Sequence, residues 1–259
     1  MINEGAFDDV GAAMMIHPGT DNIIYPYVLA VDACFVEFHD RNAHAAGSPW
    51  KGRNALDALV LAYQAVALMR QQSQPTVRIH GKIHHGGERP NIIHDYTRAE
   101  YSVRAPDAPL LNEMKQRVVD CFAGAAQATG CEYSVSWKSA ELDCYSNMAN
   151  NGPLAEAYGG HWLDLGVRAT DLAGDMKGSF GSTDMGNVSH VVPAIHPMYL
   201  IPHESGNHTA QFTAAAATEE GHMLTLKASQ AMALTALDWL TDPDLRDRAL
   251  ADFDRYHGN

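Results

Sequence analysis

A chain of 259 residues accommodates one large domain or two ordinary ones, and a hydrophobic content of 46% supplies a packed core. Lys and Arg number 18 against 31 Asp and Glu, so the formal net charge of −13 repels phosphate backbones and nucleic acid is a poor partner. No apolar run approaches the roughly 20 residues that span a bilayer. The start, MINEGAFDDV, has neither a basic nor an apolar leader region, so no membrane association and a cytoplasmic location are expected.

The elements follow in chain order. Residues 10–17, VGAAMMIH, form an apolar run that His17-Pro18-Gly19 stops, which predicts a buried strand ended by a turn. Residues 31–40 alternate Val31, Ala33 and Phe35 with Asp32 and Cys34, the pattern of a half-exposed strand. His44 then falls in a run of small and turn-forming residues that reads as a mobile loop. Residues 54–70 repeat apolar positions at helical spacing without Gly or Pro and predict a helix. Residues 76–86 and 91–105 are strand-like and joined by GERP, which predicts an antiparallel pair.

A second helix over 109–128 and a strand over 131–137 complete the order β-α-β-β-α-β, the ferredoxin-like arrangement. After Trp137 the chain predicts a helix around 153–165, a Gly-rich stretch over 174–186, an apolar strand near 191–201 and an Ala-rich helix over about 213–240. Helix and strand alternate there as in an α/β layer, which the first strand joins. The expected organisation is therefore a partial α/β domain of residues 1–29 and 139–259, interrupted by a ferredoxin-like domain of residues 30–138.

Four cysteines, Cys34, Cys121, Cys131 and Cys144, are widely spaced without a CxxC pair, which suits buried thiols in a reducing compartment. The 14 histidines are many for this length and hint at metal or proton chemistry. His17 ends a strand, where α/β sheets present ligands, although a satisfied structural histidine explains it equally well. His208 lies in a polar loop before a helix and suits a metal or an exposed loop. Asn91 offers an amide to a polarised carbonyl and Arg104 a fork to a carboxylate. GSFGSTDMGN, residues 178–187, reads as a backbone nest for a carboxylate or as a structural loop. The phosphate-loop, HExxH, GxSxG and kinase patterns are absent.

Taken together, EGAFDDVGAAMMIHPG, NAHAAGSPWKGRNALDA, HHGGERPNIIHDYTRAEYSVRA, GSTDMGNVSHVVPAIHP and NHTAQFTAAAATEEGH resemble the dinuclear zinc amidohydrolases that include aminoacylase, carnosinase and carboxypeptidase G. The resemblance is strongest to the branch of aminobenzoyl-glutamate hydrolase and the aminoacylase-like dipeptidases. It implies a zinc-peptidase α/β domain interrupted by a ferredoxin-like lid through which the protein forms a homodimer. It implies hydrolysis of a peptide or N-acyl amino acid bond beside a free carboxylate. His17 and His208 match metal ligands for zinc, two ions per complete site, with manganese or cobalt as alternatives. His44 matches a histidine that crosses to the partner's site and polarises the scissile carbonyl. Asn91 would assist it, Arg104 would receive the substrate carboxylate, and Gly181 and Ser182 would line the pocket.

In the family a metal motif and a Glu-Glu pair precede the segment that matches residues 1–17, and this chain has no counterpart of either. The expectation is thus a truncated chain, inactive alone, that is either stabilised by self-association or one piece of a longer natural or split protein. Asp184, Glu204 and Asp32 are candidate substitutes for the missing carboxylates. The alternative is a non-catalytic dimerisation or ligand-binding module derived from that family. An RNA-binding ferredoxin-like domain ranks last, because Tyr96 and Tyr101 fall on opposite faces of one strand.

Overall fold

The computed structural model describes residues 1–140, 144–170, 181–202 and 206–258. Two short strands, β1 (Ala13–Met14) and β2 (His17–Gly19), come first. There follow β3 (Ala30–His39), β4 (Ala43–His44), α1 (Ala55–Met69), β5 (Arg78–His85), β6 (Ile92–Ile93), β7 (Tyr96–Ala105), α2 (Ala108–Thr129) and β8 (Glu132–Trp137). The remainder holds α3 (Gly152–Asp164), α4 (Met185–Ser189), β9 (Ala194–Ile195), β10 (Met198–Leu200), α5 (Ala210–Ala216), α6 (Glu219–Thr241) and α7 (Pro243–His257). The backbone divides into two compact units, residues 29–147 and residues 1–28 with 148–259.

In the 29–147 unit, β5, β7, β3 and β8 form one antiparallel sheet in that spatial order. The period of two decides which face is covered. Ala30, Cys34, Val36 and Phe38 of β3 are buried, as are Thr97, Ala99, Tyr101, Val103 and Ala105 of β7. Ala55, Ala58, Leu59, Ala62 and Val66 of α1, with Leu111, Met114, Val118 and Phe122 of α2, cover them at helical spacing. Each large apolar side chain so buried contributes about 1.5–3 kcal/mol. Asn54 caps α1 by accepting from Leu56 N–H, and Asp107 caps α2 by accepting from Leu110 N–H. Gly81 on β5 lets the Tyr101 ring lie across the strand, since a Cβ there would stand 2.6 Å from it.

Asp32, 4% exposed, breaks the apolar face of β3. Its carboxylate accepts from Lys115 Nζ at 2.5 Å, Ser139 Oγ at 2.5 Å and Ala33 N–H at 2.8 Å. The ammonium also lies 4.5 Å from the Trp137 ring centre. Asp32 therefore pins α2 and the end of β8 to β3, and it is not a substitute metal ligand. Burial, with the Asp32 charge adding to it, pushes the Cys34 thiol up to about 12.

In the other unit β1 pairs with β9 and β2 with β10, both parallel. Leu154, Tyr158 and Trp162 of α3 pack with Ala228 and Ala231 of α6 and Ala249 of α7. Asn151 caps α3 by accepting from Leu154 N–H and donates to the Ala249 carbonyl at 2.8 Å. His161 of α3 meets Asp238 of α6 at 2.5 Å. Along α6, Met223, Leu226, Leu234, Leu237 and Leu240 form an exposed apolar stripe. No helix among the described residues is long and apolar enough to cross a membrane.

Several expectations change here. The single strand expected over 91–105 is two, because β6 leaves the main sheet to pair with β4. The mobile loop expected around His44 is thus a two-residue ribbon followed by a tight turn over Pro49–Lys51. The strand near 191–201 divides at His196-Pro197, where proline has no N–H for a ladder. His17 opens β2 instead of ending a strand, its own N–H donating to the Pro197 carbonyl at 2.9 Å. The helix expected over 213–240 is broken by Thr218, whose hydroxyl caps α6 by accepting from Gly221 N–H. Beyond it Asp242 and Pro243 start α7.

Candidate active site

The candidate residues form two constellations, one in each unit. The first gathers where β1 and β9 end, the edge at which parallel sheets hold ligands. His17 is exposed there, and its Nδ1 lies 2.7 Å from the Pro18 carbonyl. A carbonyl only accepts, so Nδ1 carries the proton and Nε2 presents its lone pair outward. Metal-binding histidines are held in this way, the far nitrogen free and the near one donating to a carbonyl.

The Pro18 carbonyl also accepts from Asn207 Nδ2 at 2.8 Å, which ties the loop of His208 to the His17 turn. His208 is exposed and adopts φ 67, left-handed for a residue other than glycine. Such backbone costs about 1–3 kcal/mol and is held where neighbours over-determine it. Here the following residue, Thr209, caps α5 by accepting from Phe212 N–H at 3.2 Å. Gly181 and Ser182 are half-buried in the segment leading to α4, and Asp184 is exposed at its head. Residues 178–180 of the predicted nest, and Glu204, lie outside the described residues.

His196 is the residue that sequence reasoning missed. It is 4% exposed, and among the described residues neither ring nitrogen has a hydrogen-bond partner. Its ring centre lies 5.6 Å from that of His17, edge to face. Burial, reinforced by His17 and opposed by Asp184, lowers its pKa to about 4. The available signal was its place in AIHP, a histidine directly after an apolar run. Among the described residues no three or more His, Cys, Asp or Glu side chains are grouped closely enough to hold an ion.

The second constellation occupies one corner of the 29–147 unit. In the β4–β6 ribbon His44 stands opposite Ile92, and Ala45 N–H donates to the Asn91 carbonyl at 3.0 Å. His44 and Asn91 are therefore neighbours, both exposed. His44 Nδ1 accepts from the N–H groups of Ala46 at 3.2 Å and Gly47 at 3.0 Å. That nitrogen is unprotonated, so the neutral ring carries its proton on Nε2 and points it outward as a donor. Gly87, at φ 107, allows the turn before Asn91 to close over the His94 ring.

Arg104 is not part of that corner. It sits near the far end of β7, roughly 25 Å along the strand from Tyr96. On the uncovered sheet face it stands opposite Val31 and Arg78. Burial, then the charges of Arg104, Arg70 and Arg78, lower the pKa of His80. Three guanidinium groups thus act on His80 at this end of the sheet, a feature wider than the single arginine expected.

Residues 32–129 match the peptidase dimerisation domain characteristic of M20 enzymes. The chain is 39% identical over 253 residues to mouse Xaa-Arg dipeptidase, which aligns with 98% of this chain and 58% of that protein. It is 26% identical over 298 residues to a subunit of the p-aminobenzoyl-glutamate hydrolase of Escherichia coli strain K12, covering 95% of this chain and 62% of that one. A dinuclear metal-binding M20 peptidase from Bacillus subtilis superposes with a TM-score of 0.63 at 16% identity, over 91% of this chain and 59% of its own. The chain is a homologue of the M20 peptidases. It spans about three-fifths of the length of the curated relatives. Within this M20 homologue His44, Asn91 and Arg104 fall inside the dimerisation domain, whereas His17, Gly181, Ser182 and His208 fall outside it.

Proposed function

We propose that this chain belongs to a metal-dependent amidohydrolase or dipeptidase that works as a homodimer and cleaves an amide beside a free carboxylate. The substrate is a small peptide or N-acyl amino acid, and dipeptides ending in arginine are the first class to test because Xaa-Arg dipeptidase is a relative. The observation that carries the reading is the protonation pattern of His17, whose Nδ1–H is spent on Pro18 and whose Nε2 is left as a ligand.

His17 and His208 would hold the metal, zinc being the expected ion with two per complete site and manganese or cobalt as alternatives. When bound, such an ion polarises the amide carbonyl and lowers the pKa of water. His44, its Nε2–H already directed outward, donates to the carbonyl oxygen as negative charge develops there, and it does so from the partner subunit. Asn91 supplies its amide as a second donor beside it. Arg104 takes the substrate carboxylate in its fork. Gly181 and Ser182 line the substrate side.

The dimer contact we assign to the exposed Val60, Leu61, Tyr63 and Leu68 of α1 and to the unpaired edge of β5, where Ile83 is also exposed. Trp50, 76% exposed just beyond His44, gives the arm an apolar anchor on the second subunit. Incubating the zinc-loaded protein with an Xaa-Arg dipeptide and measuring free arginine tests the reading. Release that His17→Ala abolishes supports it. No bound zinc supports the dimerisation module in its place.

A further inference from the structure

We propose that His196 is a second metal-facing imidazole, paired with His17, so that a divalent cation at the ends of β1 and β9 is gripped by two neighbouring rings. This rests on the metal-centre reading above and extends it to a residue outside the expected ligand set.

Three observations lead there. First, a buried imidazole with two unmade hydrogen bonds is left with an uncompensated desolvation cost. Buried polar side chains generally find a partner, and a leucine would fill the space without that cost. The nearby Pro18 carbonyl is already occupied by His17 Nδ1 and Asn207 Nδ2, so it offers His196 nothing. Secondly, His196 directly follows β9 as His17 follows β1 within three residues, and the two strands are adjacent and parallel. Both rings therefore emerge at the same edge. Thirdly, the ring centres are 5.6 Å apart. Two imidazoles on one tetrahedral zinc, at about 2.0–2.1 Å from nitrogen to metal, hold their centres about 5 Å apart. Only a small adjustment separates the observed pair from a shared ion.

The test uses the full chain with zinc or cobalt alone as the probe. His196→Leu removes both nitrogens at little change in volume. The metal-free variant should melt no lower than the parent, because two unsatisfied buried groups disappear with it. Its zinc affinity should fall at least about tenfold, measured by calorimetric titration and by the zinc-induced rise in Tm. Zinc affinity that His17→Ala removes but His196→Leu leaves intact would overturn the proposal while sparing the metal-centre reading. Failure of the parent chain to bind zinc at all would overturn both. Should His196→Leu not fold, cobalt added to the parent chain decides the matter by NMR. Hyperfine shifts on the rings of both His17 and His196 are expected, and direct coordination shifts on His17 alone would overturn the pairing.

Discussion

The two units solve the same packing problem with unequal means. In residues 29–147, β3 and β7 run beside each other for ten residue pairs, and two helices seal one face of the sheet. In residues 1–28 and 148–258, the parallel pairings extend over only two and three residues, and α6 leaves an apolar stripe uncovered. A long ladder with its own helices holds shape by itself, whereas a short one depends on caps, turns and side-chain ties such as Asn207 to Pro18. His17, His196 and His208 all belong to that second kind of framework.

Breaking the stronger unit should give the largest effect. Asp32→Ala leaves Lys115 without its buried carboxylate, and a loss of about 3–5 kcal/mol is expected, read as a lower urea midpoint. Removing the outward donor of the same unit should act on rate instead. In the active zinc-loaded dimer, His44→Ala should lower kcat by about a hundredfold or more, roughly 2.7–4 kcal/mol in the barrier, with the urea midpoint unchanged. An unaltered kcat would remove His44 from the chemistry.

Arg104→Leu should raise KM for a carboxylate-bearing substrate by about tenfold or more, the worth of a hydrogen bond to a charged group. A substrate amide in place of that carboxylate should be indifferent to the change. The smallest effect concerns acid. Glu100 is held below the usual carboxylate range chiefly by the hydrogen bond from Lys138 at 2.7 Å, then by His84 at 2.9 Å. Because the folded pKa is the depressed one, this stabilisation is present above the unfolded value near 4.5 and disappears as pH falls through the folded value. Glu100→Gln should therefore flatten the decline in Tm below about pH 4.5 and cost under about 1 kcal/mol at pH 7.

Much of the 29–147 unit was legible because its strands alternate strictly and its helices carry no breakers. The opposite faces of Tyr96 and Tyr101 and both helices follow from periods of two and 3.6, but the covered face of residues 31–40 does not: Val31, Ala33 and Phe35 read as the apolar set, whereas the helices bury the face of Asp32, Cys34, Val36 and Phe38. Asp32 looked like a spare carboxylate and proved to be a pin, since its partners Lys115 and Ser139 lie 83 and 107 residues away. His44 looked mobile because small residues and Gly47 surround it, yet those residues supply the amides that orient its ring.

Chain order and local pattern thus determined the helices, the antiparallel strands and the types of residue available for chemistry. Tertiary structure alone decided which nitrogen of His17 and His44 carries a proton, that Asn91 adjoins His44 while Arg104 stands at the other end of the sheet, and that His196 lies beside His17. The physical reason is the same in each case. Periodicity reports that an element has two faces, but which face is covered, and which hydrogen bond or ring contact forms, depends on atoms brought together from distant parts of the chain.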